Sequence, residues 1–227
     1  MRWISRYRSV ALVGADGAGK STQTELLRRL LAVEPKRAYV FTVHPFGRKL
    51  LRVGSDSPVL PIAAGARSLR KKSRLLRWMA AAEDILDIAL YLWLTHLRAV
   101  LAALVGGREV WLVGDRSMDD TLIKHRRLGT LSKRTAELIR GLVPGFEETV
   151  WLRVEPRVAM ARDRDFDLPY YEELYAAYSA AAERFGWWVV PERGRTPEEL
   201  HASIVEELRL VAPDPKDHQN VLRGAPV

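Results

Sequence analysis

Gly14-Ala15-Asp16-Gly17-Ala18-Gly19-Lys20-Ser21 decides how this chain folds. The stretch fits G-x-x-x-x-G-K-[ST], a loop whose glycines let consecutive backbone N–H groups wrap a polyphosphate closely. Lys20 adds a mobile positive charge, and the Ser21 hydroxyl suits a Mg²⁺ shell. The flanks agree with the loop. Ser9-Val10-Ala11-Leu12-Val13 reads as a short buried strand, and Thr22 to Leu31 carries leucines at helical spacing. An ordinary glycine-rich turn explains neither flank. The segment therefore points to a nucleoside triphosphate site with Mg²⁺, with Gly14, Asp16, Gly17, Ala18, Gly19, Lys20, Ser21 and Thr22 around the phosphates.

Outward from the loop, strands and helices alternate. Strands are expected at Ser9–Val13, Ala38–Val43, Glu109–Gly114, Thr149–Val154 and Trp187–Val190. Helices are expected at Lys20–Ala32, Leu75–Val105 (bent or broken), Asp119–Arg127, Lys133–Leu142, Pro156–Arg162, Tyr170–Phe185 and Pro197–Val211. Short apolar strands separated by helical patterns imply an α/β fold: a five-stranded parallel sheet with helices on both faces. Gly106-Gly107 ends the long helix, and Thr196-Pro197-Glu198-Glu199 is a well-formed helix start. Residues 1–211 read as one domain, and the polar, Pro-rich residues 212–227 as a mobile tail. Ligands of such sheets lie beyond the carboxyl ends of the strands. The phosphate loop, His44-Pro45, Asp115-Arg116 and Arg193-Gly194-Arg195 should converge there, Arg195 on the nucleotide side.

Composition removes several function classes. The chain has 227 residues and no cysteine, so disulfides, thiol catalysis and Cys-based zinc sites are all excluded. The N-terminal residues carry charge without a following apolar run, unlike a signal peptide, and a cytoplasmic location is the default. Thirty-six Lys and Arg against twenty-eight Asp and Glu leave a formal charge of +8, which favours anionic partners. The densest basic run, Arg67 to Arg77, reads as a solvated helix face or as a wall of the anion cleft. Ile85 to Val105 is about long enough for a bilayer, yet Asp87, His96 and Arg98 interrupt it. A buried helix or a homodimer face is the expectation there, with no integral span. His44, His96 and His125 lack metal-ligand spacing and read as packing or surface residues.

A triphosphate site can serve a GTPase switch, a mechanical ATPase or a kinase. No N-K-x-D follows a later strand, and the third strand ends in Asp115-Arg116 rather than in an acid pair. An acid followed by a base suits metal placement by Asp115 and a cation for a second anionic substrate, which favours a kinase.

The residues then fall into a recognisable order. Gly14 to Gln23 resembles the phosphate loop of thymidylate kinases, commonly G-x-D/E-G-x-G-K-S/T-T-Q. Asp115-Arg116 is similar to that family's D-R-Y, and Glu155-Pro156 to its D-P helix start. Arg162 and Arg164 fall where its arginine-bearing lid begins, here about 162–169. The resemblance spans about residues 10 to 210 and implies the P-loop NTPase fold and a phosphotransferase. It implies that Lys20 and the loop amides hold the ATP phosphates, with Ser21 and Asp115 on the metal. Asp16 would face the acceptor or the metal's waters, Arg116 would grip the acceptor's phosphate, and Arg162 and Arg164 would close over the phosphoryl in flight. The loop has no arginine of its own, so that cation must come from the lid. Plainer readings stand beside these: Asp16 as a loop cap, Asp115-Arg116 as a surface ion pair, and Arg162 to Asp165 as a solvated loop of alternating charge.

Departures concentrate on the acceptor side. Where the family reads R-E-P-G-G, this chain has Val43-His44-Pro45-Phe46-Gly47. Its F-A-A-D-R falls on Ala80-Ala81-Ala82-Glu83-Asp84, its D-R-Y tyrosine on Ser117, and its later Y-Q pair on Lys124-His125. Phosphate handling is retained while base reading is replaced, so the substrate should differ. A nucleoside monophosphate needs no general base, whereas a hydroxyl of a nucleoside, sugar or other small molecule needs Asp16 or Asp115 as one. A weakly hydrolysing module that binds a membrane or nucleic acid is the third reading, with nucleic acid the lesser expectation.

Overall fold

The computed structural model describes residues 6–31, 37–41, 74–106, 109–163, 166–192 and 194–208. His44-Pro45, Arg164, Arg193 and the tail from 212 lie outside these residues, as do the side chains of the basic run. The strands are β1 (Tyr7–Val13), β2 (Arg37–Phe41), β3 (Val110–Gly114), β4 (Glu148–Arg153) and β5 (Trp188–Pro191). The described helices are α1 (Lys20–Leu31), α2 (Arg74–Gly106), α3 (Met118–Arg127), α4 (Lys133–Leu142), α5 (Pro156–Arg162), α6 (Leu168–Phe185) and α7 (Pro197–Glu207).

All strand pairs are parallel, in the order β2-β3-β1-β4-β5. Central strands in such a sheet are covered on both faces, and their composition shows it. Val10 to Val13 of β1 have no solvent exposure, and every residue of β3 is buried. Alternation decides which layer each side chain joins. Trp111 and Val113 pack with α1, α6 and α7, while Val110 and Leu112 pack with α2 and α3. The chain leaves β1 for the edge strand β2, returns to β3 beside β1, and then crosses to β4 on β1's other side. That reversal opens a crevice above the carboxyl ends of β1 and β3.

Element ends follow local chemistry. Ser117 caps α3 by accepting from Asp120 N, and Thr196 and Glu199 form a capping box on α7. Helix α6 starts at Leu168 rather than Tyr170, because Pro169 in the first turn lacks an N–H that the helix would leave unpaired anyway. Helix α2 runs unbroken for 33 residues, against the expectation of a bend. It contains no proline, and Ile88, Leu92, Ala99 and Ala103 seat one face continuously on the core. Its other face stays in solvent: Leu86, Leu90, Trp93, Leu97, Leu101 and Leu104 are each at least 50% exposed. By length and composition Ala81–Gly106 is apolar enough to cross a membrane.

Gly114 ends β3 where no side chain fits. A Cβ there would lie 2.5 Å from the Phe146 ring and 2.9 Å from Arg116 O. Gly114→Ala should therefore cost about 1–3 kcal/mol, read as a drop in Tm of about 3–10 °C. An unchanged Tm would show that Phe146 does not close this strand end.

Candidate active site

The loop between β1 and α1 is held in shape by backbone contacts that only glycine permits. Gly14 has φ +148°, and a Cβ on it would sit 2.8 Å from Leu152 O of β4. Gly17 has φ +81° and lies under α5, where a Cβ would come within 3.0 Å of Arg162 Cβ. Gly19 completes the turn at φ +82°, and Gln23 N donates to Gly19 O at 3.0 Å as α1 begins. Ala18 is buried, whereas Ser21 and Thr22 are exposed on the first turn of α1.

Lys20 is buried and turned back over the loop, with Nζ 2.9 Å from Gly14 O, 2.8 Å from Ala15 O and 3.5 Å from Asp16 Oδ1. Burial lowers its pKa against the pull of Asp16 and Asp120. Ser21 Oγ donates to Asp115 Oδ2 at 3.1 Å. Asp115 Oδ1 is buried without a hydrogen-bond partner. A hydroxyl, a carboxylate and a spare carboxylate oxygen at one spot suit a hard cation that keeps waters and phosphate oxygens as its other ligands. Among the described residues no three His, Asp or Glu side chains gather as a metal cluster, so an all-protein cage is not what this spot provides. Burial raises the Asp115 carboxyl, opposed by Lys20 and by the Ser21 hydrogen bond.

Asp16 is the meeting point of three cations. Arg116 Nη2 lies 3.3 Å from Oδ1, and Lys124 Nζ lies 3.5 Å from Oδ2, with Lys20 beside them. Burial alone would push this carboxyl up, but Lys124, Lys20 and Arg116 together hold it well below the usual carboxylate range. The plain reading of Asp115-Arg116 as a surface ion pair is thereby replaced, because the two residues face the loop and separate partners.

Behind these cations stands Asp120, fully buried. Its Oδ2 is 3.2 Å from Lys124 Nζ and 3.8 Å from Arg116 Nη1, and its Oδ1 accepts the Tyr178 hydroxyl. That hydroxyl also lies 3.2 Å from Gly14 O, so α6 touches both α3 and the loop. Asp120, Tyr178 and Lys124's inward pose are the parts that reading residues in order misses. Asp119-Asp120 looks like an ordinary acidic first turn, and Tyr178 lies 164 positions from its loop contact.

Arg162, at the end of α5, leans over the loop. Its Nη1 is 3.4 Å from Gly17 O and its Nη2 donates to Glu192 Oε1 at 2.6 Å. Arg195 is turned elsewhere: Nη1 donates to Ser203 Oγ of α7 at 2.9 Å, and its N–H donates to Glu192 O. Of the expected strand ends, the loop and Asp115-Arg116 converge. Two acceptor-side departures also meet, with His125 Nε2 3.0 Å from Asp84 Oδ2 and His125 Nδ1 3.2 Å from Thr130 Oγ1. His96 is a packing residue between Tyr7 and Phe146.

A glycine cup, a retracted lysine, a hydroxyl–carboxylate pair and an arginine at the next strand end together define a P-loop kinase. No protein-family model matches the chain. A thymidylate kinase of Jannaschia sp. (strain CCS1) is 31% identical over 202 residues, covering 78% of this chain and 83% of that protein. A probable thymidylate kinase of Pyrobaculum aerophilum is 26% identical over 216 residues, 89% of this chain and 96% of that one. The chain belongs to the thymidylate kinase family. Its fold matches the crystal structure of a thymidylate kinase from Ehrlichia chaffeensis, with TM-score 0.60 at 14% identity over 89% of this chain and 98% of the other. It also matches deoxyadenosine kinase from M. mycoides with bound dATP, with TM-score 0.52 at 14% identity over 89% of this chain and 99% of the other.

Asp120→Asn leaves Arg116 and Lys124 short of a buried counter-ion and should cost about 3–5 kcal/mol near neutral pH. Burial would raise the Asp120 carboxyl, but Lys124, Arg116 and Lys20 hold it below its ordinary value. Its contribution is thus present above the unfolded carboxyl pKa of about 3.9 and lost as pH falls further. Thermal melts of the two proteins should differ most near pH 7 and draw together below about pH 4. A gap independent of pH would remove the charge from this account.

Proposed function

We propose that this chain transfers the γ-phosphoryl group of ATP to a nucleoside monophosphate. An acceptor phosphate oxygen attacks the γ-phosphorus, the bond to the β,γ-bridging oxygen breaks, and ADP leaves beside a nucleoside diphosphate. The observation that carries this reading is the state of Asp16. Three cations hold it as a weakly basic anion, so it is a poor proton acceptor for a hydroxyl, while a monophosphate needs none. Lys20 and the loop amides would hold the ATP phosphates, and Arg116 would grip the acceptor. Ser21 and Asp115 would hold Mg²⁺, which when bound neutralises phosphate charge. Arg162, and with it Arg164 in a short lid of about 162–169, would supply the cation that the loop lacks. The working place of such an enzyme is the cytoplasm.

The second reading is a hydroxyl acceptor, for which Asp115 is the candidate base, since burial raises its carboxyl. An ADP-release assay with a panel of monophosphates and nucleosides separates the two. Turnover of one or more monophosphates is expected, and turnover of nucleosides alone would transfer the case to the second reading. The replaced positions Ala80 to Asp84 and Lys124-His125 make dTMP a poor acceptor, and efficient use of dTMP would overturn that inference. Lys20→Ala should lower kcat by about a hundredfold or more with any acceptor. Arg116→Ala should raise the acceptor KM by about tenfold or more and leave the ATP KM in place.

The exposed stripe of α2 is proposed to pair with the same stripe of a second copy. Leu86, Leu90, Trp93, Leu97, Leu101 and Leu104 recur at helical spacing on one face, a self-complementary arrangement for a two-fold interface. Sedimentation should find a dimer at micromolar concentration, and Leu90→Glu with Leu97→Glu should release monomer. A monomeric wild type that instead cosediments with lipid vesicles would assign the stripe to a membrane.

A further inference from the structure

Among the described residues, Lys124 is the one cation of this site that the family resemblance does not supply. The family places an uncharged tyrosine there, and Lys124 instead reaches back along α3 to the phosphate loop. It and Arg116 take opposite oxygens of the same carboxylate, Arg116 on Asp16 Oδ1 at 3.3 Å and Lys124 on Asp16 Oδ2 at 3.5 Å. Two positive groups, one on each oxygen of a planar anion, form a fork. Two of the three non-bridging oxygens of a phosphate monoester present a comparable pair of acceptors with more charge.

The two carboxylates of the cluster are not equivalent. Asp120 has no exposure and is tied by Tyr178, so it stays behind the fork as a fixed counter-charge. Asp16 is 37% exposed at its side chain and sits on the loop in front of the fork. When Asp16 turns aside, Arg116 and Lys124 together face the crevice with Asp120 neutralising only one of them.

We infer that Lys124 is a binding residue for the acceptor, forming with Arg116 a two-pronged receptor for the phosphate of a nucleoside monophosphate that Asp16 occupies in the acceptor's absence. This rests on the monophosphate kinase reading above and deepens it. The charge that the family spends elsewhere on the acceptor is here placed on its phosphate, which relaxes the demand on the base.

Two variants and two readouts test the receptor. Lys124→Met should raise the KM of the preferred monophosphate by about tenfold or more while ADP affinity by calorimetry stays within about twofold. The retained ADP affinity also shows that the variant is folded. Lys124→Arg, which keeps the charge, should restore the KM to within about threefold, a rescue that filling space alone does not give. Asp16→Asn removes the competing negative charge from the fork, so calorimetry should find the monophosphate bound more tightly although transfer slows. A Lys124→Met enzyme with the wild-type acceptor KM, or an Asp16→Asn protein with weakened monophosphate binding, overturns the receptor. Lys124-dependent monophosphate binding in a wild-type protein that phosphorylates no monophosphate sinks the kinase reading and leaves the receptor standing.

Discussion

A carboxylate shut off from water governs this site. Burying Asp120 is costly unless cations and hydrogen bonds surround it, and here Lys124, Arg116 and the Tyr178 hydroxyl do so. Each partner comes from a different structural obligation. Arg116 leaves the end of β3, Lys124 sits one helical turn along α3 from Asp120, and Tyr178 reaches in from α6. Satisfying one buried charge thus draws three elements together over the carboxyl end of the sheet. Tyr178 then touches Gly14 O, so the same network also positions the phosphate loop.

How much of this was legible in the chain depends on the range of the interaction. Signals carried by adjacent residues read well. The apolar strands and the capping box at Thr196 are local, and the structure forms them within a residue or two of the expected bounds where described. The ends of α6 and the unbroken α2 read less well, because a proline in a first turn and a continuous seat on the core are decided by context. Asp120, Tyr178 and Glu192 were not legible as site residues. Each has a partner far along the chain, Asp120 through Tyr178, and each has an ordinary local explanation: an acidic first turn, a helical aromatic, a polar strand end.

Ser117 shows how one departure propagates. The family's tyrosine after the Asp-Arg pair becomes a serine that caps α3 through Asp120 N. Capping fixes where the helix begins, and helical geometry then fixes where Asp120 and Lys124 point, four residues apart on one face. His125, the next residue, is carried toward Asp84 of α2 at 3.0 Å. Two positions that the resemblance would give to reading the base have become partners of each other. Changes scattered along the chain therefore act as one change in three dimensions, linking α3 to α2.

The end of α5 follows a complementary logic. The loop of Ala15, Asp16, Gly17 and Ala18 carries no arginine, and Arg162 crosses directly over Gly17, where a side chain on the loop would collide with it at 3.0 Å. A bare glycine beneath and an arginine above are two halves of one solution. That guanidinium spends one donor on Gly17 O and another on Glu192, a carboxylate only 7% exposed. A buried carboxylate is a strong partner for an arginine, so a phosphate group has to outbid it with more charge or closer geometry. Under the proposed function, a terminal phosphate held in the loop would meet that condition, whereas water would not. The ion pair with Glu192 therefore keeps Arg162 near the loop and neutralised, and the role proposed for it above requires a phosphoryl group to displace that carboxylate.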